Sequence, residues 1–307
     1  LPVVDIGSGE NQPYSWNEAI LVFNGELYNY KEIRKQLSIE QNIRFESNSD
    51  AEVFLKAFII LGPETFFKKA VGMWSYTILV NDLIYFGRDE YGIKPLFFRK
   101  YENKISLSSS SRALLEIFKD FDSYKINFQE LKLFIATGYQ DTNHISLFDS
   151  IQIVEPGFCY KYQNGKIISK KSCKFIDDKL LSMPIRSIFD DVVSSQMPSE
   201  VGSCMALSGG LDSTIISSIC KRNDHKVYSL SLDILASEPE RQNILKTVSH
   251  YNLDHEFVKV DSESILPYCI NLISNICQPL RSSQPIFQYL LREKASKLNT
   301  RVFFTGD

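Results

Sequence analysis

The chain has 307 residues, 44% hydrophobic and 23% charged, which predicts two folded domains of about 150 residues each and excludes wholesale disorder, collagen-like repetition and a coiled coil. Lys plus Arg number 34 against 37 Asp plus Glu, a formal net charge of −3, so no global positive field attracts nucleic acid or anionic lipid and any phosphate binding must be local. The longest apolar runs, such as 54–61 with Lys56 inside it, fall far short of the roughly 20 residues a membrane span needs.

In chain order, Ala19 to Phe23 reads as a short strand ending in Asn24-Gly25, and Tyr30 to Leu37 as a helix. Ser49-x-x-Glu52 spells a capping box that opens a helix from Asp50, terminated by Gly62-Pro63. Val71 to Val80 and Leu83 to Phe86 flank Asn81-Asp82 as a hairpin. Further strands are expected at 96–98, 105–108 and 158–162, with one helix from Phe128 to Thr137. Packed sheets with helices outside follow from that pattern. Gln163 to Lys174, with Asn164-Gly165 at its turn, reads as a last hairpin running into a linker.

From about Asp177 the rhythm changes to short apolar strands alternating with helices: strands at 204–207, 226–232, 256–260 and 301–304, helices at 212–221 and 238–251, and a longer helical stretch from Ser264 that resumes at Pro285. Repeated βα units imply a parallel sheet covered on both faces, with ligands at the carboxyl ends of its strands. The division is therefore 1–176 and 177–307. Both ends read as cut: Leu1 is not an initiator Met, and Asp307 follows directly on an apolar run. Six cysteines (159, 173, 204, 220, 269, 277) lack metal or redox spacing and read as reduced thiols of a cytoplasmic protein.

Ser208-Gly209-Gly210-Leu211-Asp212-Ser213 follows a strand and opens a helix, where backbone N–H groups and a helix N-terminus converge on an anion. The glycines let the backbone approach phosphate oxygens, and the Ser208 and Ser213 hydroxyls can donate to them. A carboxylate beside phosphates needs a bridging cation, which makes Asp212 a candidate Mg²⁺ ligand. A bare Gly-Gly turn needs no ligand, but matching all six positions by chance has odds of order one in ten thousand. The loop is neither a Walker A nor a GxGxxG sequence. It resembles the pyrophosphate-binding loop of the ATP pyrophosphatases, which adenylate a substrate and release pyrophosphate.

Phe23-Asn24-Gly25-Glu26-Leu27-Tyr28-Asn29 in turn resembles the glutamine-binding strand of class II glutamine amidotransferase domains, and Arg88-Asp89-Glu90-Tyr91-Gly92-Ile93-Lys94-Pro95-Leu96 a second signature of them. Together with Gln12-Pro13, Ser49 to Glu52, Pro156-Gly157 and Thr305-Gly306-Asp307, this order of motifs resembles the glutamine-hydrolysing asparagine synthetase family over essentially the whole chain. The implied fold is an α+β sandwich glutaminase domain of the Ntn (N-terminal nucleophile) type, followed by a Rossmann-like α/β parallel-sheet ATP pyrophosphatase domain. The implied substrates are glutamine, aspartate and ATP with Mg²⁺, and the implied assembly a homodimer; neither nucleic acid nor membrane is a partner.

The resemblance also implies roles. Asn24 and Gly25 would donate to the oxyanion formed when glutamine's carboxamide is attacked, and Glu26 and Asp50 would hold its α-amino group. A hairpin turn at Asn24-Gly25 and a dipole-stabilised carboxylate at Asp50 are the simpler readings of each alone. Ala206, Leu207, Ser208 to Ser213, Leu232, Thr305 and Gly306 would line the ATP site, Leu232 also reading as sheet core. Asp307 would take an acid-base role and Arg281 a substrate or phosphate contact, a solvated surface Arg being its alternative. The 88–95 stretch reads as a tight turn with a buried ion pair. The family's N-terminal Cys nucleophile and a glutamine-binding Arg would both lie upstream of Leu1, so this segment alone is expected not to hydrolyse glutamine. Two alternatives stay open: a β-lactam-forming or peptide-cyclising paralogue, and a catalytically dead scaffold. His144, His225, His250 and His255 have no zinc or triad spacing, and the basic stretch 166–174 reads as a solvated strand edge.

Overall fold

The computed structural model describes residues 12–118, 124–139, 144–173, 182–197, 201–233 and 238–306. They form two compact units: one takes the residues up to 173 together with Asn275–Arg281, the other those from 182 to 274 and from 282 to 306.

In the first unit β1 (Tyr14–Trp16), β2 (Ala19–Leu27), β3 (Gly72–Val80), β4 (Leu83–Arg88), β8 (Phe158–Gln163) and β9 (Lys166–Ser172) lie in that order in a six-stranded antiparallel sheet. A smaller sheet runs β6 (Lys104–Ser108), β5 (Phe97–Tyr101), β7 (Gln152–Ile153). Phe86, Tyr160 and Tyr162 from the first sheet meet Phe98 from the second with Leu96 and Val154, so the sheets share one apolar layer. The larger sheet's other face carries α1 (Tyr30–Glu40), α2 (Asp50–Leu61) and α3 (Pro63–Phe67). Phe54 of α2 touches Phe23, Phe66, Phe67, Trp74 and Tyr76 at ring-centroid distances of 4.8–6.3 Å. Each such pair adds roughly 0.5–1.5 kcal/mol beyond the area it buries. On the far side of the smaller sheet, α4 (Ser111–Phe118) packs Leu114 and Leu115 on Phe97, Phe148, Ile151 and Ile153. α5 (Phe128–Thr137) is capped by Asn127, whose Oδ1 accepts from the amides of Gln129 and Glu130. The result is the sandwich with outer helices expected from the pattern.

The start of α2 departs from the capping box. Ser49 Oγ accepts from Ala51 N–H at 3.2 Å, and Glu52 does not reach back to the cap. Its fully buried carboxylate instead accepts from the amides of Glu46 and Ser47 and the Ser47 hydroxyl, and pairs with buried Lys56 at 2.6 Å. Burial alone would push the Glu52 carboxyl up, but the hydrogen bonds from Lys56, Ser47 and the two amides outweigh it and hold it at about 2.

In the second unit β10 (Gly202–Ala206), β11 (Val227–Asp233), β12 (His255–Lys259) and β13 (Thr300–Phe304) form a wholly parallel sheet in the order β12-β11-β10-β13. Leu291 and Ala295 of α10 (Gln284–Lys297) cover Cys204 and Leu230 on one face. Val193 of α6 (Ile185–Gln196) packs on Ile219 and Cys220 of α7 (Leu211–Arg222) in a second cluster with Val227. α8 (Glu238–Tyr251) and α9 (Ser262–Ile276) complete the described helices. No helix of the described residues is long and apolar enough to cross a membrane.

Candidate active sites

In the first unit the site is organised by β2. Its side chains alternate: Phe23 and Leu27 are buried, while Asn24 is exposed and Glu26 half-buried on the opposite face. Its amides alternate too. Tyr28 N–H continues the ladder to Val71 O at 2.8 Å, so amides at 24, 26 and 28 turn toward β3 and those at 23, 25 and 27 turn away. Phe23 N–H accordingly donates to Gln12 Oε1 at 2.6 Å and Leu27 N–H to Asp50 Oδ2 at 2.9 Å. The Gly25 amide points from the same edge, between these two, which suits a donor held ready for a ligand oxygen.

Two carboxylates gather beside that edge. Asp50, in the first turn of α2, is buried. Burial and the Asp50 charge push the Glu26 carboxyl up to about 7, opposed by Lys94. Burial, Glu26 and Asp89 likewise push the Tyr28 phenol up. Such a pair is relieved by a bound cation. Lys94 is held in place by the 88–95 loop, which is tied through backbone groups. Arg88 donates to the carbonyls of Gly92, Lys94 and Val154, and buried Asp89 accepts from the amides of Trp74, Tyr91, Ile93 and Lys94. Nothing in the residue pattern marks this loop as bringing a cation to Glu26; only the fold places the Lys94 charge there.

In the second unit, β11 and β12 lie on one side of β10 and β13 on the other, so the chain reverses its winding at β10. The carboxyl ends of β10 and β13 therefore flank the crevice where parallel sheets bind ligands. Ser208 to Gly210 occupies the first of these ends, and Thr305-Gly306 the second. Gly209 has φ +73°, and α8 closes over it: a Cβ there would lie 3.1 Å from Ile244. Gly306 is demanded by proximity, since a Cβ would lie 2.9 Å from Asp212 Cβ and 3.1 Å from Ser213 N. Ile244 was not visible as a site residue because nothing in an amphipathic helix marks which loop it roofs.

Gly210 caps α7 without a side-chain hydrogen bond, so the first-turn amides of Leu211, Asp212 and Ser213 have no cap acceptor. The two serines divide the work differently from expectation. Ser213 is buried; its hydroxyl exchanges a hydrogen bond with Ser208 Oγ at 3.1 Å, accepts from Ser208 N–H and reaches Gly210 O, so it braces the loop. Ser208 and Asp212 are exposed. Ala206 and Leu232 pack at the edge of the apolar cluster formed with α10, Leu232 opposite Val258. Leu207 N–H donates to Leu230 O at 2.8 Å, and the Ser231 hydroxyl to Leu207 O, fixing the strand end that launches the loop. One exposed carboxylate beside an amide cradle fits Mg²⁺, which takes one or two carboxylates and completes its shell with phosphate oxygens and water. No group of three or more metal-ligating side chains occurs among the described residues.

Arg281 belongs to the first unit, where its guanidinium lies 3.9 Å from the Tyr139 ring centroid. Asp307 lies outside the described residues. Of the histidines, His255 Nδ1 meets Ser229 Oγ at 3.0 Å and its buried Nε2 has no hydrogen-bond partner among the described residues; burial pushes its pKa down.

Residues 1–173 match the glutamine amidotransferase domain family, and residues 184–307 match the asparagine synthase family. The chain belongs to the glutamine-hydrolysing asparagine synthetase family. It is 30% identical over 252 residues to asparagine synthetase 3 of Bacillus subtilis, covering 76% of this chain and 40% of that protein. Identity to asparagine synthetase 1 of the same organism is 26%, over 97% of this chain and 48% of the relative. Asparagine synthetase B of Escherichia coli is 25% identical over 100% of this chain and 54% of its own length. The chain thus spans about half the length of these family members.

Proposed function

We propose that the protein carrying this chain converts aspartate to asparagine, taking nitrogen from glutamine and driving the step with ATP. The observation that carries this reading is the uncapped amide cradle at the winding reversal of the parallel sheet. It is joined in one chain to a unit that presents an edge amide beside two carboxylates.

In the first unit, glutamine's α-ammonium sits against Glu26 and Asp50, whose mutual repulsion it relieves. The Asn24 side-chain amide and the Gly25 N–H donate to the oxygen that becomes an oxyanion when the carboxamide carbon is attacked. The attacking group is not Cys159: β8 lies three strand spacings from β2 in the sheet, roughly 14 Å.

In the second unit, ATP phosphates lie on the amides of 209–213, with the Ser208 hydroxyl as a further donor and Gly306 leaving room beside them. Ala206, Leu207, Leu232 and Thr305 border the nucleotide, and Asp307 serves in acid-base chemistry. Asp212 together with phosphate oxygens would hold Mg²⁺, which when bound offsets charge on pyrophosphate. The aspartate side-chain carboxylate attacks the α-phosphorus and pyrophosphate leaves, because a free carboxylate is too poor an electrophile for ammonia. Ammonia then attacks the aspartyl carbonyl of the mixed anhydride, and AMP departs.

Exchange of labelled pyrophosphate into ATP tests the reading. Exchange that requires aspartate is the expected result. Exchange driven by a different carboxylic acid would instead assign the site to a paralogous β-lactam-forming or peptide-cyclising synthetase, and no exchange with any acid would make the chain a scaffold.

A further inference from the structure

Cys159 and Cys173 are 14 positions apart and belong to one face of the β8–β9 hairpin. Cys159 stands opposite Lys171, so Cys173, two residues beyond Lys171, falls on the diagonal of the same face. Cys173 N–H donates to Gly157 O at 2.7 Å, which draws the end of the hairpin in toward β8. Both thiols line one cleft of about 520 Å³, which α3 and Tyr85 also border. Beneath it the Tyr76 hydroxyl, fully buried and without a hydrogen-bond partner among the described residues, faces the Cys159 sulfur. Lys161 and Lys171 stand at the same cleft, with Glu64 the carboxylate among its lining residues.

We propose that Cys159 and Cys173 are a dithiol modification site that a small anionic disulfide, entering this cleft, oxidises to an intramolecular disulfide. Cys159 is the attacking sulfur: contact with the Cys173 thiol, then Tyr76 and the charge of Lys171, outweigh burial and hold its pKa down, while the same contact pushes Cys173 up. The Cys159 thiolate attacks one sulfur of the reagent, forming a mixed disulfide and expelling a thiolate that takes up a proton. Cys173 gives its proton to solvent and attacks the Cys159 sulfur, forming the internal bond and expelling the second thiolate. The protein loses two electrons and two protons, and the reagent becomes two thiols. The lysines favour a carboxylate-bearing disulfide, and the bond pins Cys173 at the end of the β8–β9 hairpin.

The test equilibrates the native chain with oxidised glutathione, then alkylates the remaining thiols and maps the peptides by mass. A chain lighter by two hydrogens, with the 159 and 173 peptides joined and alkylation of both falling together by about tenfold, is the expected result. Dithiothreitol reverses it, a Cys269→Ser/Cys277→Ser double variant retains it, and Cys159→Ser abolishes it. Unchanged alkylation at both positions overturns the proposal. So does a glutathione adduct that persists on Cys159 without resolution by Cys173, or one confined to Cys269 and Cys277.

Discussion

The groups proposed to bind glutamine come from β2, the first turn of α2 and the 88–95 loop, brought together by strand register. Those proposed to bind ATP phosphates come almost entirely from six consecutive residues and one glycine, brought together by a turn. In the first unit the chemistry is side-chain charge, two carboxylates and a lysine, and it is tuned by burial. In the second it is backbone polarity, and it is tuned by how closely chain can approach chain. An assembly of charges is sensitive to pH and to every element that holds a member, whereas a backbone cradle is sensitive to single methyl groups.

Breaking the support of the charged site gives the largest effect. Glu52→Gln leaves buried Lys56 without its counter-ion and is expected to cost about 3–5 kcal/mol. Trp16 and Trp74 are the chain's two tryptophans and both lie in the first unit, so urea unfolding followed by their fluorescence reads that unit. In the parent chain Glu52 is held down at about 2, so its contribution is complete above about pH 4.5 and is lost as pH falls toward 2. An acid titration of stability in which wild type and Glu52→Gln decline in parallel would sink this account.

Crowding the backbone cradle comes next. Gly306→Ala should weaken ATP binding by about 10- to 100-fold, measured by calorimetry, with tryptophan-reported stability unchanged. The charged site offers the opposite sign. Glu26 is raised to about 7 in the folded chain, so ionising it opposes folding as pH climbs from about 4.5 through 7. Glu26→Gln should therefore stabilise the first unit by about 1–2 kcal/mol at pH 8, with the gain vanishing below about pH 4.5, while glutamine binding is lost. Equal stability of the two proteins at pH 8 would show that Glu26 is already relieved. The smallest expected effect is Ser213→Ala, about 1 kcal/mol from the lost loop brace, read as a few-fold rise in the dissociation constant for ATP.

The same contrast explains what could be read from the chain beforehand. A contiguous hexapeptide between a strand and a helix carries its own context, and the alternation from 204 to 304 dictated a parallel sheet. α4 and α6 are harder to read: Leu114, Leu115, Ile117 and Phe118 do have helical spacing, but α4 is only eight residues long, and α6 begins after Pro184 with Ile185 and Phe189 exposed. β1 and β7 are only three and two residues long and exist through their partners. Glu52 matched the capping pattern, yet a buried lysine four residues on made a better partner than the cap. The perturbed Glu26 was illegible for a similar reason, since its neighbours Asp50 and Lys94 are 24 and 68 residues distant in sequence.

Asp89 shows how far that dependence on distant neighbours reaches. Its carboxylate holds four amides, among them Trp74 on β3 and Lys94 at the loop's end, and is almost wholly enclosed. An amide side chain of the same shape could satisfy only part of that set, letting the loop slacken and carrying the Lys94 charge away from Glu26. A residue that touches no proposed substrate thus acts as the anchor of an electrostatic counterweight, and the acidity of Glu26 is written into the tautness of a neighbouring turn.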